Sequence, residues 1–135
     1  MSVKKCELIS LPKHLDPRGN LSVFESKVQI PFEMQRCYLI YDVPGGETRG
    51  GHAFRLQEEV IVALSGSFDV VVKDASGISQ TFSLNRSYLG LYIPNGLWRH
   101  MENFSTNAVC FVTSSTFYDE SDYIREFADF QREFA

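Results

Sequence analysis

Residues 46 to 66 read Gly-Glu-Thr-Arg-Gly-Gly-His-Ala-Phe-Arg-Leu-Gln-Glu-Glu-Val-Ile-Val-Ala-Leu-Ser-Gly. This stretch places His52, Arg49 and the glutamate pair Glu58 and Glu59 around a glycine-rich turn that leads into an apolar run. Side chains alternate between the two faces of a strand, so His52 and Phe54 share a face if this segment is extended. An isolated histidine is ordinarily structural, and a catalytic role for His52 is the alternative.

Short apolar or alternating runs, separated by turn residues, make up most of the chain, which is typical of an all-β sandwich or barrel. The predicted strands are Cys6–Ile9, Leu21–Glu25, Arg36–Tyr41, Glu59–Leu64, Phe68–Lys73, Ser79–Leu84, Leu89–Ile93, Trp98–Glu102 and Ala108–Thr113. Turns around Gly66 and Gly77 join three of them, so residues 59 to 84 are predicted to form a three-stranded meander.

The C-terminal segment changes to helical spacing after Asp119-Glu-Ser-Asp122. Apolar side chains then recur at Tyr123, Ile124, Phe127, Phe130 and Phe134. We predict one short amphipathic helix that covers a barrel surface or a subunit contact.

Composition narrows the class of protein. A chain of 135 residues fits one domain, so we predict a single domain over residues 1–135. The net charge is −4 and the basic residues are scattered, which argues against nucleic acid as a partner. No secretory signal or membrane-length apolar run is evident, so no membrane partner is expected. Cys6, Cys37 and Cys110 are far apart in apolar surroundings, which predicts reduced core thiols on strands and a cytoplasmic location.

Two motifs resemble those of the cupin superfamily, and they bracket the predicted meander. The first is the spacing of Gly46, His52, Phe54, Glu59 and Gly66. The second is Pro94-Asn-Gly-Leu-Trp-Arg99 followed by Asn103. The resemblance implies a jelly-roll β-barrel.

Metal-dependent cupins take their ligands from a His-x-His pair, a glutamate and a histidine of the second motif. This chain keeps His52 and Glu59 but has Phe54 and Arg99 at the other two positions. A phenyl ring has no donor atom and a guanidinium is permanently cationic, so we predict no metal. His100 would replace a ligand only if the strand register shifted by one residue.

A closer resemblance, to the WxcM-like sugar-nucleotide cupins, extends over nearly the whole chain. It rests on Pro17–Gly19 with Leu21–Glu25, Ile30–Phe32, Arg36–Asp42, Arg49-Gly50 with His52-Ala53, Gly90–Tyr92, Trp98 and Tyr118–Ile124. That family includes dTDP-4-keto-6-deoxyglucose 3,4-ketoisomerases. The resemblance implies a cofactor-free proton transfer through an enediol on a dTDP-linked keto sugar. It also implies a homodimer that exchanges the N-terminal strand.

The resemblance also implies roles for individual residues. His52 is similar to the first of two active-site histidines and is expected to be the general base, with Arg49 polarising the keto oxygen. Arg18 and Arg99 are expected to engage the sugar or pyrophosphate. The usual Arg-Gly-x-His-Ala-His is here Arg-Gly-Gly-His-Ala-Phe, and Phe54 cannot transfer a proton.

The missing second histidine leaves alternatives open. In the first alternative, the proton relay is completed by Tyr38, Glu59, Tyr92 or His100. In the second, the protein catalyses a related reaction that needs only one base. In the third, it binds a nucleotide sugar without turnover. Trp98 either stacks on the nucleotide base or packs in the core. A metal-dependent cupin of unrelated chemistry is a third class, which the ligand count disfavours.

Overall fold

A computed structural model describes all 135 residues, and its framework is a pair of facing five-stranded sheets. The strands are β1 (Glu7–Ser10), β2 (Lys13–Asp16), β3 (Gly19–Ser22), β4 (Arg36–Tyr41), β5 (Arg49–Phe54), β6 (Glu59–Ser65), β7 (Phe68–Lys73), β8 (Ser79–Leu84), β9 (Leu89–Ile93), β10 (Trp98–Glu102), β11 (Val109–Ser114) and β12 (Tyr123–Ile124). One α-helix, α1, spans Phe127–Phe134, and short 3₁₀ turns span Val3–Lys5 and Glu120–Asp122.

The two sheets form a jelly-roll barrel. One sheet has the strand order β1-β9-β6-β11-β4, the other has the order β12-β5-β10-β7-β8, and β2 and β3 form a separate hairpin. Neighbouring strands pair antiparallel throughout. The predicted all-β, cupin-type class is therefore confirmed.

The main core lies between the sheets and draws on strands of both. Ile61 on β6 and Leu91 on β9 meet Val70 and Val72 on β7, and all four side chains are fully buried. β-branched side chains suit this position because they pack well on a pleated surface.

Five predicted strands have the observed bounds: Arg36–Tyr41, Phe68–Lys73, Ser79–Leu84, Leu89–Ile93 and Trp98–Glu102. The other four predicted strands differ from the observed bounds by one to three residues at one or both ends. Strands β2, β5 and β12 were not among the predicted segments. Of these, β5 carries His52 and Phe54, and it places both side chains on the same face, as the alternation argument requires.

The predicted three-stranded meander is wrong. Strand β6 pairs with β9 and β11, whereas β7 pairs with β8 and β10, so only β7 and β8 form a hairpin. The turn at Gly66 carries the chain from one sheet to the other. Gly66 has a φ of 67°, and a Cβ atom there would lie 2.8 Å from the Cα atom of Ala108. A side chain would therefore block the close approach that this corner requires.

The predicted C-terminal helix begins later than expected, at Phe127. Tyr123 and Ile124 instead pair with Phe54 and Ala53 of β5. The cause is Asp122, which is tied by hydrogen bonds to the chain after β5 and holds the next two residues in an extended conformation. No helix in the structure has the length and apolar character needed to cross a membrane.

The cysteines only partly match the predicted core thiols. Cys110 is buried and Cys6 is half-buried, but Cys37 is exposed. The prediction is wrong for Cys37 because β4 is an edge strand and Cys37 lies on its outward face.

Candidate active site

A cavity of about 550 Å³ opens in the barrel and is rich in arginine. Four arginines line it: Arg36 on β4, Arg49 on β5, Arg99 on β10 and Arg125 just after β12. Tyr38, His52 and Tyr123 line it as well. Several cations around one concave surface favour an anionic ligand.

The two glycines between Arg49 and His52 allow β5 to lie close to β10. Gly50 has a φ of 73°, and its carbonyl accepts a hydrogen bond of 2.6 Å from Nη1 of Arg99. A Cβ atom on Gly50 would lie 2.3 Å from that nitrogen, so only glycine leaves room for the guanidinium. The pairing register then places Arg99 opposite His52.

Arg99 is held by a buried ion pair with Glu59. Both residues are 1% exposed. Nε and Nη2 of Arg99 donate to the two oxygens of Glu59, at 2.8 Å each. The Tyr38 hydroxyl accepts from Nη2 of Arg99 at 2.9 Å and donates to Oε2 of Glu59 at 3.2 Å. Burial and the negative charge of Glu59 raise the pKa of Tyr38. The Glu59 carboxylate is thus fully engaged and is not a free base.

The residues present do not fit the divalent metal of metal-dependent cupins. Of the ligand positions, His52 and Glu59 keep donor side chains, but Glu59 is bonded to the cation of Arg99. No group of three or more histidine, cysteine, aspartate or glutamate side chains is placed to hold an ion. A metal here would meet an incomplete ligand set and a neighbouring positive charge.

His52 is the one histidine in the cavity. The residue is 8% exposed, and its buried Nε2 has no hydrogen-bond partner. The ring centroid lies 4.8 Å from that of Phe54 and 5.0 Å from that of Tyr123. Burial, together with the charges of Arg99, Arg125 and Arg36, lowers the pKa of His52 to about 2. The imidazole is therefore neutral at physiological pH, which is the form that a general base requires, although burial and the arginine charges weaken it as a base.

Three of the predicted substrate-binding residues lie on strand faces outside the cavity. The Tyr92 hydroxyl donates to Glu58, and His100 pairs with Glu102 at 3.3 Å. Trp98 packs against Phe127 and Phe130 of α1, with ring centroids 5.4 and 6.1 Å apart. The packing alternative for Trp98 is the one that the structure supports.

Arg18 also lies apart from the cavity. It follows β2 in the exposed hairpin, and its side chain is 90% exposed and paired with Asp16 at 3.0 Å. Within one chain, the cavity thus brings together His52, Arg49, Arg99, Glu59 and Tyr38 but none of the other four predicted residues.

Sequence reasoning missed three residues of the cavity: Arg36, Tyr123 and Arg125. Nη2 of Arg36 donates to the Tyr123 hydroxyl at 3.1 Å, and the Arg125 guanidinium lies 4.3 Å from the Tyr123 ring centroid. Arg36 could have been found, because it shares a strand face with Tyr38 on a correctly predicted strand. Tyr123 and Arg125 were missed because the segment that follows Asp122 was predicted to be a helix.

A jelly roll with a buried Arg99–Glu59 pair beside an unpartnered imidazole defines a cupin-type barrel whose residues do not fit the usual metal of that superfamily. The family model FdtA, described as WxcM-like, C-terminal, matches residues 4–135. This chain belongs to that family.

Relatives of known activity match almost the whole chain. The TDP-4-oxo-6-deoxy-alpha-D-glucose-3,4-oxoisomerase of Aneurinibacillus thermoaerophilus is 39% identical over 126 residues, which is 93% of this chain and 90% of the relative. A 3,4-ketoisomerase structure from Helicobacter canadensis has a TM-score of 0.92 and 35% identity over 96% of this chain and 97% of that chain.

A third relative was solved with a sugar nucleotide. It is a mutant of the 3,4-ketoisomerase QdtA from Thermoanaerobacterium thermosaccharolyticum in complex with TDP-4-keto-6-deoxyglucose. Its TM-score is 0.94, with 32% identity over 98% of this chain and 95% of that chain. These comparisons confirm the predicted family and the predicted enzyme class, a sugar-nucleotide 3,4-ketoisomerase.

Proposed function

We propose that this protein converts TDP-4-keto-6-deoxyglucose, or a close stereoisomer, into the 3-keto isomer through an enediol, with His52 as the general base. The observation that carries the proposal is the neutral imidazole of His52, whose buried Nε2 has no protein partner in an arginine-lined cavity. The sugar and the nucleotide are those of the relatives in Aneurinibacillus and Thermoanaerobacterium.

The reaction needs a base beside an acidified C–H bond. The C3 hydrogen of the sugar is acidic because the C4 carbonyl can accept the electron pair as an enediolate. His52 takes that proton and later returns a proton to C4. A positioned base of this kind contributes roughly a hundred- to ten-thousand-fold in rate.

The developing oxyanion needs a cation, and Arg49 is suited to supply it. Its side chain is exposed at the cavity wall and forms no hydrogen bond or ion pair within the protein. Arg99 also faces the cavity, but its guanidinium is already bonded to Glu59 and Tyr38. We assign Arg49 to the keto oxygen, and Arg99 with Tyr38 to one preorganised wall of the sugar site.

A second candidate function is nucleotide-sugar binding without turnover. It is favoured by Phe54, which packs at 4.8 Å from His52 where the resemblance implies a second imidazole. The arginine-lined cavity would serve either function, so the two candidates differ only in proton transfer.

We also propose a cytoplasmic homodimer. Strand β1 is an edge strand paired only with β9, and Leu8, Leu15 and Leu21 are exposed on or near it. Exchange of this edge would cover apolar surface. Arg18, on the neighbouring hairpin, would then be free to reach the cavity of the other subunit.

The cytoplasmic location rests on the three dispersed cysteines, and cell fractionation tests it.

The test is incubation of the protein with TDP-4-keto-6-deoxyglucose, followed by NMR of the product. We expect the 3-keto sugar from the wild type and at least a hundredfold slower turnover from His52→Asn. Calorimetry with TDP should show that both proteins bind it, and sedimentation equilibrium should give twice the chain mass of 15.4 kDa. Binding without any turnover by the wild type would establish the second candidate instead, and undiminished turnover in His52→Asn would exclude His52 as the base.

A further inference from the structure

We propose that Phe54 is a positioning residue for His52: its phenyl ring packs against the imidazole and withholds a hydrogen-bond partner from it. The inference rests on the proposed function, in which His52 is the general base. It assigns a task to the residue that stands where the family pattern has a second histidine. Position 54 then acts on the reaction through His52 and exchanges no proton with the sugar itself.

Phe54 lies behind the wall of the cavity. It is 4% exposed and does not line the cavity, whereas His52 and Tyr123 do. The phenyl ring meets the imidazole of His52 edge-on, with centroids 4.8 Å apart and ring planes at 76°. It meets the ring of Tyr123 in a similar way, at 4.6 Å and 64°. A side chain at position 54 therefore influences a bound sugar through the two rings in front of it.

Strand β5 holds the two rings together. His52 and Phe54 are two residues apart, so the alternation of side chains places both on one face. The backbone of Phe54 is fixed on two sides: it pairs with Tyr123 of β12, and its carbonyl accepts from the N–H group of Gly96 at 2.9 Å. The contact between the phenyl ring and the imidazole is thus built into the sheet.

This contact leaves His52 without a polar partner. The Nε2 atom is buried and has no hydrogen-bond partner, and a phenyl ring offers neither donor nor acceptor. An acceptor at position 54 would lie close to the imidazole, since the ring centroids are only 4.8 Å apart. It would bond more strongly to the protonated imidazole than to the neutral one, because charge-assisted hydrogen bonds are the stronger kind. The phenyl ring therefore favours the neutral form.

The other groups around His52 act in the same direction. The charged and hydroxyl-bearing side chains that line the cavity with it are Arg36 and Tyr38 on β4, Arg49 on β5, Arg99 on β10, Tyr123 on β12 and Arg125 just after β12. The Glu59 carboxylate is bonded to Arg99, and the Glu120 carboxylate is bonded to Arg125. Burial and the arginine charges lower the pKa of His52, and no acceptor at position 54 opposes them.

The experiment compares wild type with Phe54→His, Phe54→Gln and Phe54→Leu. The two polar variants bring an acceptor to position 54. Phe54→Leu is the matched control, because leucine is apolar, of similar bulk and without hydrogen-bonding atoms. Histidine rings are labelled with ¹³C and ¹⁵N and followed by NMR from pH 8 to pH 3.5, and the signal absent from His52→Asn identifies His52.

We expect the pKa of His52 to be higher in the polar variants than in Phe54→Leu by about one pH unit or more, since a new bond favours the charged ring. Phe54→Leu should keep the low pKa of the wild type. It should still lose up to about tenfold in turnover, because the imidazole is less firmly oriented. A merely structural role for Phe54 would lower turnover without this difference in titration.

Equal titration of His52 in the polar variants and in Phe54→Leu, including no titration in any of them, overturns the inference. A rise in pKa in Phe54→Leu as large as that in Phe54→His overturns it as well. The titration needs no substrate, so it is independent of the proposed function. Absence of product with the wild type would refute that function and leave the NMR comparison decisive for Phe54.

Discussion

The imidazole of His52 lies where its charged form is disfavoured. It is buried, its Nε2 has no acceptor to donate to, and its nearest charged neighbours are arginines. A free histidine titrates near pH 6.5, whereas the pKa of His52 is lowered to about 2. The surroundings that keep this ring neutral also make the folded protein sensitive to acid.

This sensitivity gives a prediction for stability. Between about pH 6.5 and 2 the unfolded chain binds a proton at His52 that the folded chain does not, so acid favours unfolding. The free energy of unfolding should fall as the pH drops below 6.5, by up to about 1.4 kcal/mol per pH unit from this group. Urea denaturation from pH 7 to 4.5 should show a shallower fall in His52→Asn.

The matched control is His14→Asn, because His14 is exposed on β2 and far from the cavity. It should keep the wild-type pH dependence. Equal slopes for the wild type and His52→Asn would show that His52 titrates normally in the folded protein.

Single residues of the site were predictable where a motif or an alternation marked them. His52, Glu59 and Arg99 follow from the cupin spacing, and the prediction of no metal follows from side-chain chemistry. The bidentate bond between Arg99 and Glu59 was not predictable, since it joins residues 40 positions apart on strands of different sheets. Tyr92, His100 and Trp98 lie near the same motifs, but strand alternation or a neighbouring helix turns them away from the cavity.

At the scale of elements, β12 is a two-residue strand that completes the site. The Asp122 carboxylate accepts the backbone N–H groups of Leu56 and Gln57 at 2.8 and 3.0 Å. The Asp122 carbonyl also accepts from the backbone of Arg55 at 3.1 Å. These bonds fix the chain beside β5 and thereby place Tyr123 against His52.

We predict that Asp122→Ala destabilises the protein by about 1–3 kcal/mol, because the buried N–H group of Gln57 and the part-buried N–H group of Leu56 lose their acceptor. Turnover should fall as well, since Tyr123 loses its anchor. Asp119→Ala is the comparison: Asp119 is exposed and caps the adjacent 3₁₀ turn through Ser121, so its loss should cost about 1 kcal/mol or less. Chemical denaturation measures both variants, and equal small costs would contradict the anchoring role of Asp122.

The same segment shows what local patterns leave undetermined. Apolar residues from Tyr123 to Phe134 fit a helical period, yet the first two are in a strand because Asp122 bonds to residues more than 60 positions away. The turn at Gly66 likewise has the residues of a hairpin but joins two sheets. Periodicity identified most strands, but it carries no information about which strands pair.

At the scale of the whole molecule, net charge and local charge differ. The chain carries a net charge of −4, yet four arginines line the one cavity that contains His52. Composition argued against a basic binding surface of the nucleic-acid type, and it gave no sign of a cationic pocket. The family model matches residues 4–135. The resemblance found in the sequence likewise extends from the N-terminal segment to the start of the last helix.

The central claim is that His52 moves the C3 proton in a cavity that needs no metal. The most direct measurement is ¹H NMR of C3 hydrogen exchange in D₂O on TDP-4-keto-6-deoxyglucose, with protein dialysed against a chelator and checked by elemental analysis. We predict unchanged exchange in the metal-depleted wild type and background exchange in His52→Asn. Loss of exchange on chelation with recovery on adding iron, nickel or zinc, or wild-type exchange in His52→Asn, would contradict the account.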